Sequence, residues 1–151
     1  MDDNFYMGIA IAQAHLAKDI LEVPIGCVIV HDDIVIGKGF NQRNTKKNTL
    51  YHAEIIAIDM ACKYMGDWRL EGCTIYITLE PCPMCAGAIL QSRIHRLVYG
   101  ATSPKSGSSG TILNILDDPQ YNHKVEITTG IIEKECASLM TDFFAELRRK
   151  K

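Results

Sequence analysis

Two short pieces of sequence constrain the fold of this chain most: His52-Ala53-Glu54 and Pro81-Cys82-Pro83-Met84-Cys85. His52, Cys82 and Cys85 supply an imidazole and two thiols, and Glu54 adds a carboxylate. Zinc takes nitrogen and sulfur ligands in a tetrahedron. Structural sites fill all four positions with protein atoms, and catalytic sites use three and leave the fourth to water. The pattern therefore predicts Zn2+ held by His52, Cys82 and Cys85, with water or hydroxide as the fourth ligand. Metal-bound water has its pKa lowered towards neutrality, and a neighbouring carboxylate can take its proton and pass it on. Any fold that uses this kit must bring the two pieces together.

The spacing suggests how. Cys82 and Cys85 are three residues apart and share one face of a helix. Pro83 suits the first helical position, which places Cys82 at the helix start. His52 and Glu54 are two apart and would diverge inside a helix. They serve one site only from a helix end, and the apolar run Ile55-Ile56-Ala57-Ile58 follows at once. Two helix N-termini would then point at one metal, their positive ends favouring thiolate and bound hydroxide. The competing reading is a structural zinc knuckle, which needs a fourth ligand. Cys27, Cys62, Cys73 and Cys136 are isolated in sequence and read as small buried hydrophobes.

A length of 151 residues with 47% apolar content predicts one domain, residues 1–151, with an ample core. No apolar run is long enough to span a membrane. The acidic start Met1-Asp2-Asp3-Asn4 lacks the regions of a signal peptide. Unevenly spaced cysteines favour a reducing, cytoplasmic setting. A net charge of −2 argues against a general electrostatic grip on nucleic acid. Basic residues nevertheless cluster at Arg43, Lys46 and Lys47, at Arg93, His95 and Arg96, and at Arg148-Arg149-Lys150-Lys151. Each cluster is either a solvated surface or a local RNA-binding face.

Periodicity predicts a helix over 4–20, strands over 25–31 and 34–40 joined at Asp32-Asp33, and a polar loop over 41–51. A helix over 52–65 ending near Gly66, a strand over 73–78, the cysteine helix over 83–92 and a strand over 94–100 follow. Residues 101–110 are rich in Ser and Gly; the bland reading is a flexible linker, and the preferred one is a loop within the one domain, over the active site. After a short apolar turn at 112–116 come a strand over 125–129 and an amphipathic helix over 132–149. That helix aligns Ile132, Cys136, Leu139, Phe143 and Leu147 on one face. This order gives an α/β fold: a mixed sheet with helices on both faces.

The pattern H-x-E…P-C-x-x-C is the known signature of zinc-dependent nucleobase deaminases. Beyond it, Val23-Pro24-Ile25-Gly26, the stretch from Thr78 through Cys85 to Ala88, Ser92-Arg93-Ile94, Asn122-His123 and the C-terminal Phe143-Phe144 helix resemble the bacterial tRNA-specific adenosine deaminase family. The resemblance runs from about Phe5 to Arg149. It implies a three-layer α/β/α cytidine-deaminase-like fold with a five-stranded mixed central sheet, a homodimer with one Zn2+ per subunit, and a tRNA anticodon stem-loop as partner. It implies conversion of the wobble adenosine to inosine, water activated at zinc attacking C6 while Glu54 moves the proton. His52, Cys82 and Cys85 match the family's zinc ligands, and Asn41 matches an asparagine that holds the flipped base. Lys105, Asn122, Phe144 and Arg148 match positions associated with the RNA.

Two departures stand out. The family usually reads D-P-T-A-H into the zinc histidine, whereas this chain reads Asn48-Thr49-Leu50-Tyr51-His52. The bulk of Leu50 and Tyr51 is expected to alter the pocket wall. The family's loop carries an aspartate before its lysine, whereas Thr102-Ser103-Pro104-Lys105 has none. That loss is expected to affect how RNA is told from DNA, because the 2′-OH needs a polar partner. Val23, Pro24 and Leu79 are candidates for the wall against the base. The rival functions are deamination of free cytidine or guanine and a zinc-stabilised RNA-binding domain. The first is disfavoured by the basic C-terminal helix and the second by Glu54, a carboxylate that is not a ligand.

Overall fold

The N-terminal acids start the first helix, α1 (Asp3–Asp19): Asp2 caps it, accepting a hydrogen bond from Phe5 N at 3.0 Å. The computed structural model describes residues 2–150. Strands β1 (Gly26–His31) and β2 (Ile34–Phe40) follow as a hairpin. Its two turn residues, Asp32 and Asp33, both have positive φ, 48° and 62°. Positive φ at both positions matches the right-handed twist of paired strands, and aspartate tolerates it. Helix α2 (Ala53–Met65), strand β3 (Thr74–Leu79), helix α3 (Pro83–Gln91) and strand β4 (Arg96–Ala101) come next. A single 3-10 turn at Ile115–Asp117, strand β5 (Glu126–Thr129) and helix α4 (Glu133–Arg149) complete the order.

The five strands form one mixed sheet in the order β2-β1-β3-β4-β5. β1 is antiparallel to β2 and β3, and β3, β4 and β5 are parallel. Alternation along β1 divides its side chains between two cores. Cys27 and Ile29 join Ile75, Ile77, Leu97 and the inner faces of α2 and α3. Val28 and Val30 join Tyr76, Val98, α1 and Leu139 of α4. β1 is buried along nearly its whole length, as its continuous apolar run predicts. The layers are therefore α1 and α4, the sheet, then α2 and α3.

One edge of this sheet gathers the segments that matter for function. Gly26 pairs with Phe40 and Leu79 with Ala101, so the start of β1 and the ends of β2, β3 and β4 lie together. Helix α2 is drawn close to the sheet by glycine. A Cβ on Gly39 would collide with the carbonyl of Ala53, and one on Gly37 with that of Ala57.

The Arg93, His95 and Arg96 cluster does not form one cationic face. Arg96 donates to both carboxylate oxygens of Asp3, at 2.9 and 2.7 Å, and to Thr128 Oγ1 at 2.9 Å. His95 faces Glu126 at 3.7 Å, and Arg93 donates to Asn122 Oδ1 at 2.8 Å. The face read for α4 also narrows. Cys136, Leu139 and Phe143 are buried and Ile132, the N-cap residue with φ 52°, packs half-buried against the same core, whereas Leu147 is 46% exposed. Near the helix end Leu147 shares a shallow recess with Phe143 and with Lys18 and Leu21 from the end of α1.

Gly39→Ala is expected to cost about 1–3 kcal/mol by overpacking and to weaken metal binding, because it pushes away the turn that carries His52. Denaturation and metal titration of the variant check this. The Arg96 guanidinium holds the Asp3 carboxyl below its ordinary value of 3.8, against the opposing effect of burial. The folded pKa is the lower one, so the stabilisation is full above the unfolded value and is lost as pH falls through the folded value. Asp3→Asn should therefore cost about 2 kcal/mol at neutral pH, with the difference from the parent closing in acid, as followed by urea denaturation across pH.

Candidate active site

The two sequence pieces meet at two helix starts. His52 is the N-cap of α2 and Cys82 the N-cap of α3, both with extended backbone and neither using its side chain as a cap. Pro83 takes the first helical position, and Cys85 lies in the same first turn. The imidazole and thiols are thus free for other work. His52 Nδ1 lies 3.6 Å from Cys82 Sγ and 3.5 Å from Cys85 Sγ. Tetrahedral zinc with ordinary Zn–N and Zn–S bonds would separate nitrogen and sulfur by about 3.6 Å. The donor set therefore fits zinc without rearrangement. Among the described residues these three form the group of donors able to hold a metal, all within 4.8 Å of one another. Cys27, Cys73 and Cys136 are buried and Cys62 half-buried, all apart from this group, so the fourth ligand of a knuckle is missing.

The protonation of the site follows from its contacts. The Cys85 thiol hydrogen-bonds to Cys82 and, with His52, pulls the Cys82 thiol down to about 4 against burial. The same bond and burial push Cys85 upward. The bond to Cys82 raises His52. Glu54 is 4% exposed, and burial pushes its carboxyl up to about 7, with the Cys82 thiolate adding to the shift. A carboxyl near neutrality can both accept and release a proton.

His52, Glu54 and Cys82 line a cavity of about 140 Å³, with Cys85 buried just outside its lining. Val23, Ile25 and Leu79 form its apolar wall, and Asn41, Glu54, His52, Glu80 and Cys82 its polar side. Pro24 is buried behind this wall, and Ile25 stands where Pro24 was expected. Asn41 is 7% exposed and is held by two local bonds, Nδ2 to Val23 O at 3.3 Å and Arg43 N to Oδ1 at 3.1 Å. Leu50 and Tyr51 are 52% and 37% exposed and lie outside the lining, so their bulk does not alter the wall.

The remaining predicted residues lie away from the cavity. Lys105 is exposed on the loop after β4, next to Ser106, which does line the cavity. Asn122 borders a separate shallow recess with Arg93 and Tyr121. Phe144 is 39% exposed, edge-on to Phe143 at 5.4 Å between centroids, and Arg148 is exposed on the last turn of α4. The Ser/Gly stretch is no free linker. Ser103, Gly107, Ser108 and Ser109 are buried, Ser108 N donates to Pro81 O at 3.0 Å, and the Ser103 and Ser106 hydroxyls are 3.3 Å apart. Sequence reasoning passed over Ser106 as a rim residue, Arg43 as more than part of a basic run, and the buried Glu22 and Glu80. A lone acid inside the apolar runs Ile20-Leu21-Glu22-Val23 and Thr78-Leu79-Glu80-Pro81 was the available signal.

The chain matches the MafB19-like deaminase family over residues 1–148. It is 48% identical over 149 residues to a tRNA-specific adenosine deaminase of Bacillus subtilis, covering 99% of this chain and 92% of that one. A structure solved in work on A-to-I editing by tRNA:A34 deaminases at the wobble position of transfer RNA superposes with a TM-score of 0.86. It is 40% identical and covers 89% of this chain and 98% of that one. A guanine deaminase of Nitrosomonas europaea shares the fold, with a TM-score of 0.80 at 21% identity over 95% of this chain and 85% of that one.

Zinc at a thousandfold excess over its Kd should raise the melting temperature of the metal-free chain by about 10 °C. Cys85→Ser should abolish most of that rise. Calorimetry with and without chelator checks both.

Proposed function

The chain belongs to the tRNA-specific adenosine deaminase family, and on that premise we propose that it converts the wobble adenosine of a tRNA anticodon to inosine in the pocket of His52, Cys82 and Cys85. One observation carries the reading: a donor set spaced for zinc shares its cavity with a buried carboxylate, Glu54, that is not part of that set. The reaction replaces the C6 amino group by oxygen, consuming water and releasing ammonia. Zinc bound by the three donors would supply the Lewis acidity that makes water nucleophilic at neutral pH.

The chain's own residues do the rest. Glu54 takes the proton of the attacking water, delivers it to N1 of the ring, and assists departure of the amine. Its buried carboxyl, in the same cavity as His52 and Cys82, is placed for both directions of transfer. Asn41 has donor and acceptor capacity left for the edge of the base. Val23, Ile25 and Leu79 give the flipped base an apolar wall and exclude water around it. Arg43 and Ser106 at the rim, with Lys105 beside them, meet the flanking strand. Asn122, Phe144 and Arg148 serve the RNA beyond the rim.

The chain works as a single deaminase domain, residues 1–151, in a cytoplasmic homodimer with one zinc per subunit. Support for self-association comes from Met60, Tyr64 and Trp68, large apolar side chains 45%, 61% and 58% exposed on and just after α2. Among the described residues no helix is long and apolar enough to cross a membrane.

The test is inosine formation on an anticodon stem-loop with adenosine at the wobble position, beside free adenosine, cytidine and guanine. Turnover of the stem-loop alone is expected. Turnover of a free base or nucleoside alone would overturn the substrate while keeping the site. Glu54→Ala should retain zinc and lower kcat by about 10²–10⁴, and undiminished turnover would remove Glu54 from the proton path.

A further inference from the structure

Two buried carboxylates stand at the pocket, Glu80 in its lining and Glu22 outside it, each satisfied by a different loop. Glu22 is 1% exposed and lies between α1 and β1. Its Oε1 accepts from Asn44 N at 3.3 Å, and its Oε2 accepts from Thr45 N and Thr45 Oγ1, both at 2.6 Å. Glu80 is 2% exposed and lies between β3 and α3. Its Oε1 accepts from Ser103 N at 3.1 Å and from Thr111 Oγ1, and its Oε2 accepts from Ser109 N at 3.0 Å and Thr111 N at 3.1 Å. A buried charge is costly unless hydrogen-bonded. Each carboxylate is therefore stable only while its loop stays wrapped round it, and the loop is ordered by the same bonds. Gly107 reinforces the second clasp from the loop side: a Cβ there would collide with the Glu80 carboxylate and with Ser103 O.

The clasped loops flank one pocket mouth. The Glu22 loop carries Lys46, Lys47 and the rim residue Arg43, and the Glu80 loop carries Lys105 and the rim residue Ser106. We propose that Glu22 and Glu80 are positioning residues for the nucleic-acid strand: they fix two cation-bearing loops at the mouth of the pocket before the substrate arrives. This rests on the proposed tRNA activity and adds how a polynucleotide is held. Loops already ordered incur no ordering cost on binding, and their charges act on the flanking phosphates. Every oxygen of the two carboxylates is taken up by a loop donor, so the effect falls on binding of the strand and not on the chemical step. The two clasps are unequal. Glutamine at position 80 must set an NH2 group against Ser103 N, or against both Ser109 N and Thr111 N. At position 22 its carbonyl can still serve both Thr45 donors, and the NH2 meets only the longer contact from Asn44 N at 3.3 Å.

The experiment is steady-state deamination of the wobble-adenosine stem-loop by zinc-loaded parent, Glu80→Gln, Glu22→Gln and Gly107→Ala chains, with amide hydrogen exchange on each. Glu80→Gln is expected to raise KM about tenfold with kcat within about threefold of the parent, and Glu22→Gln to raise KM about threefold. Exchange should accelerate at Ser103, Ser109 and Thr111 in the first and at Asn44 and Thr45 in the second. Gly107→Ala keeps both carboxylates and should raise KM like Glu80→Gln, which keeps the idea testable if the latter folds poorly. A fall in kcat with KM and exchange unchanged would overturn the proposal, as would unchanged KM in all three variants. A zinc-loaded parent that leaves the stem-loop untouched overturns the functional reading and the role in strand binding together, and the exchange rates still decide the clasps.

Discussion

The active site depends on two helix N-termini aimed at one point. A helix start leaves backbone N–H groups without partners and carries partial positive charge. Serine, threonine or aspartate usually fills the cap position. Here His52 and Cys82 fill it and leave their side chains uncommitted. Placing metal donors at caps lets short first turns bring an imidazole, two thiols and a buried carboxylate together. It also keeps the electrostatics consistent, since both helix ends favour the anions a metal site gathers. The glycines of β2 and the apolar layer under α2 and α3 hold the two starts at ligand distance.

Around that point the sheet edge is divided by task. Residues before β1 supply the apolar wall, the residue after β2 supplies Asn41, the turn after β3 leads into the cysteines, and the segment after β4 covers the mouth. Ligand sites at the carboxyl ends of parallel strands are a general feature of α/β sheets. The antiparallel β1 and β2 extend this edge, because the hairpin brings Ile25 and Asn41 side by side: Asn41 N donates to Ile25 O at 3.1 Å.

Local information in the sequence was enough for the elements, their order and a His/Cys/Cys set that could hold a metal. Hydrophobic period, the Asp32-Asp33 turn and Pro83 all act within a few residues, and spacing tied Cys82 to Cys85. What stayed hidden is long-range. Asp3 and Arg96 are 93 residues apart, and their pairing removed Arg96 from a basic cluster that reads by default as a solvated surface and alternatively as a face for RNA. The Ser/Gly stretch after β4 has the composition of a flexible linker, yet its amides converge on Glu80 from residues 23 to 31 positions away. Composition reports how freely a backbone can bend and says nothing of a distant carboxylate that stops it bending. Leu50 and Tyr51 were misplaced for a related reason: adjacency to His52 in sequence does not decide which side of a helix cap faces the cavity.

The Asp3 ion pair also sets where the molecule can be handled. It anchors the first turn of α1 over Arg96, the first residue of β4, whereas the pocket opens at the far ends of the same strands. Six residues of strand span about 20 Å. A surface tether or fused module joined ahead of Asp2 would leave the molecule held at one end of its sheet, with the mouth of the pocket turned away from the attachment.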